Sequence, residues 1–184
     1  MTSWVRPACW ARGAAACGQL PSRSSGAATV CRVTTSLLAD VPVRSPLALT
    51  RRWASLLQPL LFDTRSLWLA WIGPDGRQSP VLLPVDDLPA RPGLRLVSGL
   101  LGVHDEVAAS LGSNDVLLAM ALCRPGEPVE TEDDTDWLIA FDEVLGDELD
   151  QAWSLHLAAG GRVEPLVEAQ YFFGQVTRST EGPR

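Results

Sequence analysis

At 184 residues, 46% hydrophobic and 20% charged, the chain can bury one ordinary core, which predicts one domain with loose ends. No apolar run approaches the roughly 18 residues of a bilayer span, so no membrane role is expected. Charge is uneven: residues 1–44 set Arg6, Arg12, Arg23, Arg32 and Arg44 against Asp40 alone, a net of +4, and the total of -7 therefore leaves -11 on residues 45–184. A body that acidic repels phosphate backbones at long range, so duplex nucleic acid is not an expected partner. All 15 basic residues are arginine, which reads as the codon usage of a high-GC bacterium rather than as a binding signal.

Residues 1–44 are rich in Ala, Ser, Gly, Pro and Arg, show no sustained period and lack a signal-type apolar core. They read as a disordered arm or as upstream sequence translated from a misplaced start, Val33 being a GTG-type internal candidate. Whether residues 1–32 occur in the native protein stays open, and an organellar transit peptide is the minority alternative. Cys9, Cys17 and Cys31 lie in this arm with no C-x-x-C pair and no nearby histidine, a spacing that fits no zinc site. Cys123 stands alone in the body, so a reducing cytoplasm is the simplest compartment.

Ser45-Pro46 is a helix start, serine as N-cap and proline where its missing N–H costs nothing. Leu49, Trp53, Leu56 or Leu57, and Leu60 follow at helical spacing, and Pro59 helps to end the helix. Ser66 to Ile72 is almost continuously apolar, as in a central strand covered on both faces. Gly73-Pro74-Asp75-Gly76 then turns the chain into Gln78 to Val85, a hairpin whose second arm is placed at an edge by Pro80 and Pro84. Leu96, Val97, Leu100, Leu101, His104, Val107, Ala108 and Leu111 mark one face of a helix closed by Gly112.

Val116 to Ala121 reads as a fully buried strand. After the breaker-rich Arg124-Pro125-Gly126-Glu127-Pro128, Thr131-Glu132-Asp133-Asp134 opens a helix in capping-box style, with Trp137, Leu138, Phe141, Val144 and Leu145 facing a core and Gly146 at its frayed end. Trp153, Leu155 and Leu157 alternate with Ser154 and His156 in a strand running to Leu157. Gly160-Gly161 leads to a last short strand, Arg162 to Val167.

Six acids lie between Glu127 and Asp136: Glu127, Glu130, Glu132, Asp133, Asp134 and Asp136. They suit either a Mg²⁺ or Ca²⁺ site or a solvated helix N-terminus, and the second is favoured because no EF-hand pattern gathers them. His104 is either a ligand or base or a hydrogen-bonded core or boundary histidine, and the second is favoured because no second ligand is spaced to join it. Cys123 is either a thiol activated by the adjacent Arg124 or a small core residue. Tyr171, Phe172 and Phe173 form either an interaction patch or packing against the sheet. No nucleophile elbow, Walker loop, dinucleotide fingerprint or H-E-x-x-H pair is present.

This order of elements resembles the RadC-like branch of the JAB/MPN domains over about Leu67 to Val167, which implies a cytidine-deaminase-like α/β sandwich. In that family the strand ends in H-x-H-P, whose histidines bind zinc, followed by a Ser-x-x-Asp pair at the helix start. Pro125 matches the proline, so the histidine positions fall on Leu122 and Arg124. Thr131 and Asp134 match the Ser and Asp after a one-residue gap, and His156 resembles a histidine of the next strand that is not a ligand. The family's catalytic glutamate has no clear counterpart around Ser66 to Ile72, Asp63 being the nearest acid. Leucine cannot coordinate zinc and arginine repels it, so the resemblance implies a metal-free descendant with no cofactor.

The expectation is therefore one three-layer α/β domain over residues 45–173, with a mixed central sheet, flanking helices and a polar tail over 174–184. Its expected function is that of a non-catalytic interaction or scaffold module of a bacterial cytoplasm, a pseudoenzyme. The partner would be an unknown protein, or a second copy joined through a sheet edge or the Tyr171, Phe172, Phe173 patch. The alternative is a hydrolase with a non-zinc centre built from Cys123, Arg124, Asp134 and His156. A nucleic-acid partner, suggested by the family name, is a third reading weakened by the acidic body.

Overall fold

The computed structural model describes residues 41–169 and 172–173. The element order is α1 (Pro46–Leu56), β1 (Ser66–Ile72), β2 (Gln78–Val85), α2 (Leu94–Leu111), β3 (Leu117–Cys123), α3 (Glu132–Leu145), β4 (Trp153–Ala159) and β5 (Arg162–Val167). The strands form one mixed sheet in the order β2-β1-β3-β4-β5, antiparallel except for β3 against β4. The parallel pair follows from connectivity, because a strand that returns through a crossover helix re-enters the sheet in its original direction.

The two faces are covered differently. Leu67, Leu69, Trp71, Leu118, Met120, Leu122, Trp153 and Leu155 point to the side that carries α2 and α3. Ala70, Ile72, Leu117, Ala119, Ala121, Cys123 and Ala158 point to the other, where α1 lays Leu49 and Trp53 on them. This period of two explains why β3 shows no polar alternation: it is the middle strand, its seven residues are all buried, and both of its faces need apolar side chains.

The expected caps are in place. Ser45 accepts from Ala48 N at 3.2 Å, and Gly112 closes α2 in the left-handed conformation at φ 66°. Gly146, by contrast, stays right-handed, and the chain continues through turns to Gln151 before β4. Two strands differ from the sequence reading: β3 runs to Cys123 rather than Ala121, and β4 to Ala159 rather than Leu157. Hydrophobic runs mark where strands are buried, whereas hydrogen bonding decides where they end.

The start of the domain also moves. Val43 is 1% exposed and its N–H donates to Gly76 O at 2.7 Å, so residues 41–44 belong to the packed body and not to the arm. The hairpin tip accepts this segment closely, since a Cβ at Gly76 would sit 2.8 Å from Val43 O. The expectations made for residues 1–40, for Tyr171 and for the tail over 174–184 lie outside the described residues.

Candidate functional site

Strand directions bring several connections to one end of the sheet. Ser66, at the start of β1, pairs with Cys123 at the end of β3, which lies beside Ala158 near the end of β4. The segment leading into β1, the β3-to-α3 loop and the Gly160-Gly161 turn therefore meet there. At that end stands Arg124, one residue past β3 and 6% exposed.

All of the Arg124 guanidinium nitrogens are committed within this loop. Nε lies 2.9 Å from both carboxylate oxygens of Asp134, and Nη2 donates to Asp134 Oδ2 at 2.7 Å and to Val129 O at 2.7 Å. Nη1 donates to Pro125 O and Glu127 O, each at 3.1 Å. Three loop carbonyls and one carboxylate thus share one planar fork, a geometry that a flexible ammonium does not reproduce.

Asp134 is 0% exposed and also closes the capping box of α3, accepting from Thr131 N at 2.9 Å and from Thr131 Oγ1 at 2.8 Å. Burial works against its charge, but the hydrogen bonds from Arg124 and from the side chain and backbone of Thr131, with the Arg124 charge, outweigh it. Its pKa is held below the ordinary value. A second arginine, Arg65, brings Nη2 to 3.4 Å from Asp133 and 3.7 Å from Asp134, while Nη1 donates to Ala90 O. Arg65 escaped the sequence reading; its signal was position alone, one residue before a strand that runs antiparallel to β3.

The acids of residues 127–136 disperse. Asp134 turns inward, Asp133 meets Arg65, Asp136 pairs with Arg91 at 3.2 Å, and Glu130 accepts from Thr135 Oγ1 at 2.9 Å. Among the described residues no group of three or more His, Cys, Asp or Glu is placed to hold a metal ion. The loop is also backed by the β4-to-β5 turn: a Cβ at Gly160 would run into Pro128 and come within 3.2 Å of Gly126 O.

The four residues of the hydrolase alternative are divided by the sheet. Arg124 and Asp134 lie on the α3 side, whereas Cys123 is in the core beneath α1 and His156 meets Thr50 of α1, with Nε2 3.0 Å from Oγ1. Burial pushes the Cys123 thiol up to about 12, only partly opposed by a hydrogen bond with Ser66, so it is a thiol and not a thiolate at neutral pH. Burial pushes the His156 imidazole down to about 4 against a weaker effect of the Met120 backbone, so the ring facing Thr50 is neutral. The Thr50 contact was not legible in the sequence, because it joins residues 106 apart.

His104 is 5% exposed on the buried face of α2, its pKa lowered by burial against the opposing charge of Asp105. Among the described residues it belongs to no group placed to hold a metal ion. Phe173 is 5% exposed and belongs to the core cluster on the α1 side, edge-on to the half-buried Phe172 at 5.5 Å. At the opposite end of the sheet a surface cleft of about 340 Å³ lies between the hairpin tip and the end of α2. Its charged lining residues, Asp75 and Arg77, are paired with each other at 3.6 Å.

The fold and this closed end define a single three-layer α/β domain. Among its described residues, no helix is long and apolar enough to cross a membrane. Comparison with protein-family models, with curated proteins and with solved structures gives no match for the chain.

Proposed function

We propose that the chain is a metal-free, non-catalytic interaction or scaffold module of a bacterial cytoplasm, derived from the RadC-like branch of the JAB/MPN domains. One observation carries the reading: the fully committed Arg124 guanidinium binds Asp134 where that family's second zinc histidine would stand. A fixed positive charge takes the place of a cation and leaves no open coordination position or free donor for chemistry. The strand geometry supports the correspondence, since Leu122 and Arg124 alternate onto the same side of β3, above the start of α3. The order of hairpin, helix, buried strand, capped helix and histidine-bearing strand supports it as well.

A partner contact on this closed end is favoured over one on a sheet edge. Both edge strands carry prolines, Pro80 and Pro84 in β2 and Pro165 in β5, which remove backbone donors and disfavour strand addition. The closed end instead exposes Leu61 and Val129, at 77% and 67%, in segments that also carry Asp63, Glu127 and Glu130. These side chains suit a protein partner with an apolar and basic surface.

Metal analysis tests the reading twice. The unaltered protein is expected to purify without stoichiometric zinc, and one zinc per chain would end the metal-free proposal. Leu122→His combined with Arg124→His restores the H-x-H-P pattern and frees Asp134 as a third ligand. That variant is expected to bind one zinc, and a folded variant that binds none would sever the link to the zinc family.

A further inference from the structure

Among the described residues, three buried side-chain polar atoms without a hydrogen-bond partner, Trp53 Nε1, Gln78 Nε2 and Ser154 Oγ, belong to the layer between α1 and the sheet. Trp53 is an α1 residue, and Thr50, one turn earlier, touches His156. Ser154 and His156 are two apart on β4 and share the face that carries Ala158. Gln78 joins the same layer through Arg52 of α1, whose Nη1 donates to Gln78 Oε1 at 3.0 Å.

This is also the thinner cover. One helix of 11 residues, with Phe173 in the same cluster, covers a face of Ala70, Ile72, Leu117, Ala119, Ala121, Cys123 and Ala158, whereas helices of 18 and 14 residues close the opposite face with Leu, Met and Trp beneath them. Two polar contacts fasten α1 to strands, Thr50 to His156 and Arg52 to Gln78.

We propose that α1 is a releasable cover, which undocks from the sheet as a unit while the sheet and the α2 and α3 layer stay folded. A buried polar atom without a partner loses water when the helix docks and regains it on release. An interface that holds several such atoms is therefore the first to open. Release uncovers an apolar floor of alanines with Ile72 and Leu117 that carries an imidazole, a hydroxyl and an amide.

Native-state hydrogen exchange read by mass spectrometry on the full chain tests this. The amides of residues 46–57 are expected to be about tenfold or more less protected than those of α2 and α3. Thr50→Val, which removes the hydroxyl facing Nε2, is expected to speed α1 exchange severalfold without moving α2 or α3. Ser154→Ala, which deletes an unpartnered hydroxyl, is expected to slow α1 exchange. Equal protection of all three helices would overturn the proposal, because the domain would then open as one cooperative unit. Faster α1 exchange in Ser154→Ala would overturn it too, because the hydroxyl would then be stabilising the docked state.

Discussion

The Arg124 guanidinium and the Asp134 carboxylate form a buried pair ten residues apart in sequence, with Nη2 at 2.7 Å from Oδ2 and neither residue more than 6% exposed. The pair joins the end of the middle strand to the first turn of α3. Because the same guanidinium holds the carbonyls of Pro125, Glu127 and Val129, it also fixes the path of the loop between them.

Removing one charge strands the other. Arg124→Met leaves the buried Asp134 carboxylate with only Thr131 and the more distant Arg65 at 3.7 Å, and is expected to cost about 3 kcal/mol in urea unfolding. Arg124→Met combined with Asp134→Leu is expected to recover part of that loss, but not all, because the loop carbonyls still lack the guanidinium and the Thr131 N–H now loses its carboxylate acceptor as well. A single variant as stable as the parent would show that the pair does not hold this end of the sheet.

The buried imidazole of His156 sets a pH dependence whose sign follows from its direction. Its folded pKa is pushed down to about 4, below the unfolded value of about 6.5, so the unfolded chain binds the proton first. The contribution of His156 is complete above about pH 6.5 and is lost as the pH falls toward 4, on the order of 3 kcal/mol. His104, shifted the same way, acts in the same direction. The Asp134 contribution is lost only further down, because its pKa lies below the ordinary carboxylate value of about 3.9. His156→Gln is expected to flatten most of the fall between pH 6.5 and 4 measured by urea unfolding. An unchanged slope in that variant would assign the proton uptake elsewhere.

Two adjacent glycines separate backbone strain from contact. Gly160, at φ 53°, sits near the centre of the left-handed region, whereas Gly161 is further out at φ 77° with nothing within 4 Å of an added Cβ. On backbone grounds alone Gly161→Ala should be the costlier change. A Cβ at Gly160 meets Pro128, however, 2.9 Å from its N, so Gly160→Ala is expected to be the more destabilising, by about 1–3 kcal/mol. The opposite order in thermal unfolding would mean that the turn does not brace the loop.

The elements were legible because each carries a local signal. Alternation and continuous apolar runs marked the strands, Ser45 and Thr131 announced helix starts, and the Gly73-Pro74-Asp75-Gly76 tip announced the hairpin. The Arg124-to-Asp134 pair was only half legible. Strand and capping patterns placed both residues at the right ends of their elements, but nothing in the chain stated that the arginine would fold back over its own loop.

By itself, the sequence determined the helices and strands of one α/β domain, the absence of a linear catalytic motif and an acidic body, because composition and periodicity act over a few residues at a time. Only the tertiary structure decided that Cys123 and His156 lie across the sheet from Arg124 and Asp134, that Arg65 joins the acidic turn, and that Thr50 meets His156. Each of these depends on which face a residue takes and which strand lies beside it, and the order of strands in a sheet is fixed by packing between residues far apart in the chain.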